Sequence, residues 1–305
     1  MCAKISILMA TYQGERFLKE QLESFHSQDF HHWDLYVSDD GSTDGTLKII
    51  RDFSATHPRV TLTEGPRRGF FRNFMHLLET VPTYSDYYAL SDQDDIWPNH
   101  KLSRALAWLE AQPRDVPAVY CSRTRNVDEQ GREVGFSPLH RRNPSFKNAL
   151  VQSIAGGNTM VFNRAMLQLL RRIGTDVDVP SHDWWIYIVV TGAGGCVMYD
   201  PTPTIDYRQH DRNQVGANSD PRAKLERLKM LMRGQFRTWT DAHLKALRDR
   251  EDLLTTENLK ILRLFEEVRL SAPPRNLFAL LKGGFRRQSA SGNLALIVAV
   301  MLRKI

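Results

Sequence analysis

Short apolar runs alternate with amphipathic stretches over the first third of the chain. "KISILMA" (4–10) is apolar and β-branched, which predicts a buried strand. "ERFLKEQLESFHSQ" (15–28) then puts Phe17, Leu18, Leu22 and Phe25 on one helical face. The alternation continues with strand "WDLYVSDD" (33–40), helix "GTLKIIRDF" (45–53), strand "RVTLTEG" (59–65) and helix "FFRNFMHLLET" (70–80). Strand "YYALSD" (87–92) and helix "PNHKLSRALAWLEAQ" (98–112) follow, with Pro98 near the first helical turn, where proline is tolerated. "GSTDGT" (41–46) is turn chemistry, with Thr43 or Asp44 as candidate cap of the next helix. Strands separated by helices of about 10–15 residues predict right-handed βαβ units and a mostly parallel sheet.

The pattern then changes twice. "VPAVYCSRTRNVDEQGREVG" (116–135) reads as strand, turn and strand, while "SIAGGNTMVFN" (153–163) and "GGCVMYDPTPTIDYRQH" (194–210) add strand-like pieces around short helices. After Asn218 the leucines take helical spacing with basic faces. The expected organisation is an α/β unit over 1–218, in parts 1–115 and 116–218, followed by a basic helical region over 219–305.

Composition adds little to the fold class but something to the setting. The 305 residues are 42% hydrophobic and 25% charged, ordinary globular values. Cys2, Cys121 and Cys196 are odd in number and widely spaced, which supports neither a disulfide framework nor a zinc site and fits a reducing cytosol. The N-terminus reads as a first strand rather than a signal peptide, and no apolar segment is long enough to span a bilayer. Charge is unevenly spread: residues 1–219 carry 23 Lys+Arg against 26 Asp+Glu, and residues 220–305 carry 18 against 9. The whole basic excess therefore lies in the last part of the chain and points to an anionic partner, lipid or nucleic acid.

In an open α/β sheet, ligands bind outside the carboxyl ends of the strands. Three polar clusters fall there: Thr11-Tyr12-Gln13-Gly14, Asp39-Asp40-Gly41-Ser42 and Asp92-Gln93-Asp94-Asp95. The last sits between apolar Ala89-Leu90 and Ile96-Trp97, where three carboxylates repel one another and are costly to desolvate. A hard divalent cation, Mg²⁺ or Mn²⁺, completed by phosphate oxygens, would offset that repulsion. No Gly-x-Gly-x-x-Gly, no Gly-Lys-Ser/Thr loop and no Gly-x-Ser-x-Gly elbow is present, so dinucleotide-binding, P-loop and hydrolase-elbow readings fall away.

"ILMATYQGERFLKEQLESFHSQ", "VSDDGSTDGT", "LSDQDDIWP" and "HDWW…YRQH…N…G" together resemble a family 2 glycosyltransferase of the GT-A fold, in the rhamnosyltransferase-like subgroup of bacterial polysaccharide synthesis. The resemblance covers roughly residues 4–218. It implies that Thr11 and Tyr12 line a nucleobase pocket and that Asp39 or Asp40 accepts the base's imide N–H. It places the Asp-x-Asp on Asp92 and Asp94, with Asp94 toward the metal and Asp92 toward the ribose or a metal-bound water. Arg67 or Arg68 would reach the diphosphate. Asp183, in "SHDWW", would be the catalytic base, although the same residue at a helix start also suits a cap. Trp184 and Trp185 are candidates to stack on an acceptor sugar, against the ordinary alternative of core packing. His210 is a candidate third metal ligand, and His182 an exposed bystander. Gly156, Gly157 and Asn158 would form the floor under the acceptor.

The expected donor is a nucleoside diphosphate sugar, dTDP- or UDP-linked, with dTDP-rhamnose as the specific candidate. The expected acceptor is a saccharide or a lipid-linked saccharide. The site of action is the cytoplasm, with peripheral contact at the inner face of the membrane through 220–305, and no nucleic-acid partner is expected. Two other classes compete. A nucleotidyltransferase would need a Gly-rich, lysine-bearing loop after the first strand, which "TYQGER" lacks. An inactive membrane or nucleic-acid adaptor would bind without transferring sugar.

Overall fold

The computed structural model describes residues 3–154, 156–210, 230 and 233–305. The expected βαβ alternation is present. Strand β1 (Ile5–Thr11) leads to α1 (Leu18–His26), β2 (Trp33–Asp39) to α2 (Thr46–Thr56), β3 (Val60–Glu64) to α3 (Phe70–Thr80), and β4 (Tyr87–Ser91) to α4 (Lys101–Leu109). Each of these four strands pairs in parallel, giving the order β3-β2-β1-β4. β1 and β4 are buried along almost their whole length, which is why they read as continuous apolar runs rather than alternating ones.

The run over 116–135 splits between two sheets. β5 (Ala118–Ser122) joins the main sheet, whereas β6 (Arg125–Val127) and β7 (Glu133–Phe136) belong to a three-stranded sheet completed by β10 (Asp206–Arg208). β8 (Val161–Asn163) lies antiparallel between β4 and β5, and β9 (Cys196–Asp200) closes the main sheet beside β5. Among the described residues the main order is thus β3-β2-β1-β4-β8-β5-β9. Three helices complete this half: α5 (Phe146–Ala149), α6 (Arg164–Ile173) and α7 (His182–Gly192).

Four C-terminal helices are described: α8 (Gln235–Arg248), α9 (Thr256–Leu270), α10 (Arg275–Gly283) and α11 (Ala290–Met301). The start of the helical region expected after Asn218 lies largely outside the described residues, as do the Asn and Gly that end the "YRQH…N…G" motif. Leu244, Leu247, Leu262, Phe265, Leu280 and Val300 belong to the same apolar cluster as Phe162, Trp185 and Ile188 of the α/β unit. The boundary expected near residue 218 therefore separates two composition regimes that share one core.

Candidate active site

β2, β1 and β4 are adjacent and parallel, so topology brings Asp39, Thr11 and the chain following Ser91 to one sheet edge. The loops there are bonded to each other. Thr11 Oγ1 donates to Asp39 Oδ2 (2.9 Å), Ser42 Oγ donates to the same oxygen (2.6 Å), and Ser42 N donates to Oδ1 (2.7 Å). Asp40 accepts from the backbone N–H groups of Arg68 (3.3 Å) and Gly69 (2.7 Å). Both aspartates expected at the nucleobase thus already hold loop backbone. Their arrangement puts Arg67 and Arg68 on the exposed rim, with Arg67 beside Gly41, whose φ of +96° a side chain would strain. Thr11 is buried and Tyr12 is exposed.

Gln93, the middle residue of Asp92-Gln93-Asp94, links two of these loops. It accepts from Tyr12 N (2.8 Å) and donates to Tyr12 O (2.9 Å). Its amide fills the space beside Gly14, where an added Cβ would lie 2.4 Å from Gln93 Oε1. Spacing alone gave this glutamine no role, because a polar loop residue carries no signal of what it clamps.

The three acidic neighbours divide into two groups. Asp95 is fully buried, accepts from Asn158 Nδ2 (2.6 Å), and also accepts from Arg208 N (3.3 Å). Burial holds its pKa well above the usual range, and Asp94 and Asp92 raise it further. Beneath it lies Lys101, fully buried, donating to Asn158 O (3.0 Å) with its ammonium 4.5 Å from the Trp97 ring centre. Desolvation draws the lysine down to about 7, against the pull of Asp95. Asn158, expected under the acceptor, is therefore held from below by an acid and a base that sequence reasoning did not pair.

Asp92 and Asp94 are partly exposed. Burial pushes Asp92 up to about 7, and the carboxylates of Asp94 and Asp183 add to the shift. Asp183 thus lies close enough across the cleft to be felt at Asp92. Asp94 Oδ2 is 3.0 Å from His210 Nε2. A short ladder delivers that histidine: Ile96 and Asp206 exchange two backbone hydrogen bonds (3.1 and 2.9 Å), which lays β10 along the acidic segment. Phe17 stacks near the imidazole, with ring centres 5.2 Å apart.

Arg208, two residues before His210, is a second residue missed in the sequence. Its guanidinium is buried and donates to Asp94 O (3.1 Å), Glu129 O (2.8 Å) and Glu20 Oε2 (2.6 Å), while lying 4.5 Å from the Phe17 ring centre. It fixes the backbone carrying Asp94 to α1 and to the small sheet.

Among the described residues, no three His, Cys, Asp or Glu side chains are grouped to hold a metal unaided. The donor set still fits a hard divalent cation. Asp94 and His210 offer adjacent oxygen and nitrogen ligands beside a carboxylate whose charge burial disfavours, leaving room for phosphate oxygens and water.

Asp183 lies in the first turn of α7, but Ser181 holds the cap position. Asp183 Oδ1 accepts only locally, from Trp184 N (2.6 Å), and the carboxylate remains partly exposed. Two expectations around it are corrected. Trp184 and Trp185 do not face an acceptor: they are 9% and 1% exposed, Trp184 Nε1 donates to Ala149 O (2.7 Å), and both rings pack on His243 of α8. His182 is buried rather than exposed. It stacks on Phe74 (4.2 Å between ring centres) and among the described residues neither ring nitrogen has a hydrogen-bond partner, so desolvation draws its pKa down. Gly157 abuts the Nε2 edge of that ring, in the short 3₁₀ turn Gly157–Thr159.

With this geometry in place, the comparisons bear directly on it. Residues 6–170 match the family model "Glycosyl transferase family 2". The chain belongs to glycosyltransferase family 2. It is 30% identical over 256 residues to the dTDP-rhamnosyl transferase RfbG of Shigella flexneri, spanning 79% of this chain and 85% of the relative. Solved structures with a similar fold include S. aureus TarS 1–349 with UDP-GlcNAc (TM-score 0.54, 15% identity, 99% of this chain and 88% of that one). The mannosyltransferase PcManGT from Pyrobaculum calidifontis, in complex with GDP-Man and Mn²⁺, is another (TM-score 0.53, 18% identity, 100% and 87%). This family 2 glycosyltransferase therefore has the GT-A architecture, with its acidic strand end at the edge where the sheet presents Thr11 and Asp39.

Proposed function

We propose that the chain moves a sugar, with inversion, from a nucleoside diphosphate donor to a saccharide or lipid-linked saccharide acceptor, in cell-surface polysaccharide synthesis at the inner face of the membrane. Its likeness to RfbG supports a dTDP-linked donor and rhamnose as the transferred sugar. The carrying observation is the sheet edge itself: the ends of β1, β2 and β4 bring Thr11, Asp39 and the acidic segment together, with Asp94 Oδ2 3.0 Å from His210 Nε2 and Asp183 near enough for its charge to act on Asp92.

In this reading the Asp183 carboxylate takes the proton of the acceptor hydroxyl as that oxygen attacks the anomeric carbon. The bond from that carbon to the diphosphate oxygen breaks, and its electron pair leaves on the diphosphate. Asp94 and His210 would hold Mg²⁺ or Mn²⁺, which when bound supplies positive charge to the departing diphosphate. Exposed Arg67 and Arg68 offer further cationic contacts at the rim. Tyr12, fixed by the Gln93 amide, borders the place where a base would lie. Gly156, Gly157 and Asn158 would form the floor under the acceptor, with Asn158 held from below by Asp95 and Lys101.

The test is a screen of dTDP-, UDP- and GDP-sugars with Mg²⁺ or Mn²⁺, read as released nucleoside diphosphate. Asp94→Ala and Asp183→Ala should each reduce transfer by roughly 10²–10⁴-fold. Asp183→Ala should leave nucleotide affinity unchanged, whereas Asp94→Ala should weaken metal-dependent binding. Retention of transfer within about threefold of the parent by Asp183→Ala would remove the base from this scheme.

A further inference from the structure

Helix α11 is apolar on every side. Its inner stripe, Leu296, Ala299 and Val300, packs into the shared core. Its outer stripe, Leu294, Val298, Met301 and the following Leu302, is spaced i, i+4, i+7, i+8 and is 64%, 42%, 46% and 51% exposed. A helix apolar all round belongs in a fully buried setting, and here the described residues leave one face uncovered. Neighbouring α10 packs against it, with Asn276 Nδ2 donating to Val300 O (2.8 Å), and adds exposed Phe278 and Leu281.

The charge around this face selects its occupant. Residues 270–305 contain six Lys and Arg and no Asp or Glu, and Lys282, Arg286 and Arg303 are exposed. A second copy would meet this surface with the same excess of cations and be repelled. An anionic lipid surface meets both requirements, since it takes apolar side chains at the acyl boundary and cations at the phosphates. With 12 residues, α11 is about 18 Å long, too short to cross the hydrocarbon core, so it would lie in the interface.

We infer that the outer face of α10 and α11 docks this enzyme onto an anionic membrane. The face is tied to the acceptor side of the site. Asn148 Nδ2 donates to Arg286 O (2.9 Å) and Gln288 N donates to Gln152 Oε1 (2.8 Å), so the basic loop is bonded to the segment that runs into Gly156-Gly157. Docking would thus hold the segment leading to the acceptor floor near the bilayer, a consequence that rests on the function proposed above.

The experiment is flotation of the full chain with phosphatidylcholine vesicles, with and without phosphatidylglycerol, over a salt series. Binding should be at least about tenfold stronger on the anionic vesicles and should weaken as salt rises. The pair Leu294→Glu and Leu302→Glu should abolish it while thermal stability stays close to the parent's, since these are the two most exposed positions of the outer stripe. Equal binding to both vesicles, no binding, or binding kept by the Glu pair would overturn the inference. So would a lipid-free dimer that the Glu pair splits, which would put a second copy on this face. None of these readouts uses sugar transfer, so their failure would leave the catalytic reading standing.

Discussion

Replacing Gly157 with alanine probes the link between the acceptor floor and the first turn of α7. A Cβ built there would lie 2.3 Å from His182 Nε2, 3.1 Å from Cε1 and 3.3 Å from Cδ2, so it meets the ring rather than a flexible tip. The imidazole is held in place, because Phe74 stacks on its face at 4.2 Å and Phe70 stands edge-on at 6.1 Å. Overpacking of this kind costs about 1–3 kcal/mol. His182→Ala alone loses the packing of a buried ring, partly offset because it also removes two buried nitrogens that have no partner. We expect it to cost about 1–3 kcal/mol as well. In the double variant the alanine methyl enters space that the ring has vacated, so the two costs should not add. A coupling of about 1–2 kcal/mol in favour of the double variant is expected. Urea denaturation of the parent, both single variants and the double variant measures it directly, provided the slopes agree. Additivity within about 0.5 kcal/mol would show that His182 does not support Gly157, and the geometric reasoning would fail. Because Asp183 follows His182, Gly157→Ala should also lower kcat for transfer more than it raises the donor KM.

Asp92→Asn should change the pH dependence of stability in metal-free protein. The folded pKa of Asp92 is about 7 against an ordinary 3.8, so between those values the folded state holds a proton that the unfolded state has lost. The parent should therefore lose stability as pH rises through that window and stay level above it, while the Asn variant lacks the fall. The gap is bounded at about 4 kcal/mol by the shift, and solvent screening of this partly exposed group reduces it to about 1–2 kcal/mol; identical urea midpoints at pH 5 and pH 8 would contradict this. Arg208→Lys keeps a charge but not the three-way fork, so it should destabilise by about 2–4 kcal/mol and raise the concentration of Mn²⁺ needed for half-maximal transfer. An unchanged Mn²⁺ requirement would show that Arg208 does not position Asp94.

How much of this was legible beforehand follows from how local each signal is. The βαβ alternation and the acidic strand ends were readable, because strand burial and turn chemistry are written in consecutive residues. The adjacency of Asp39, Thr11 and Asp92 followed from the rule for parallel sheets. The "SHDWW" stretch shows where such reading stops. An aromatic pair at a helix start has one appearance whether it faces a sugar or a neighbouring helix, and only the arrival of α8, with His243, decided that Trp184 and Trp185 are core.

By itself, then, the sequence determined the parallel half of the sheet, the family and the presence of an acidic edge, since these depend on neighbours within about ten residues. Tertiary structure alone decided which acids stay accessible at the sheet edge. Asp92, Asp94 and Asp95 look alike in the chain, yet Asp95 is sealed against Asn158 and Lys101 while the other two stay partly exposed and Asp92 feels the charge of Asp183. Likewise, basic helices read the same on either side, and only packing showed which apolar face of α11 was left uncovered. The physical reason is that a side chain's solvation and charge are set by what long-range contacts place around it, and those contacts have no local pattern.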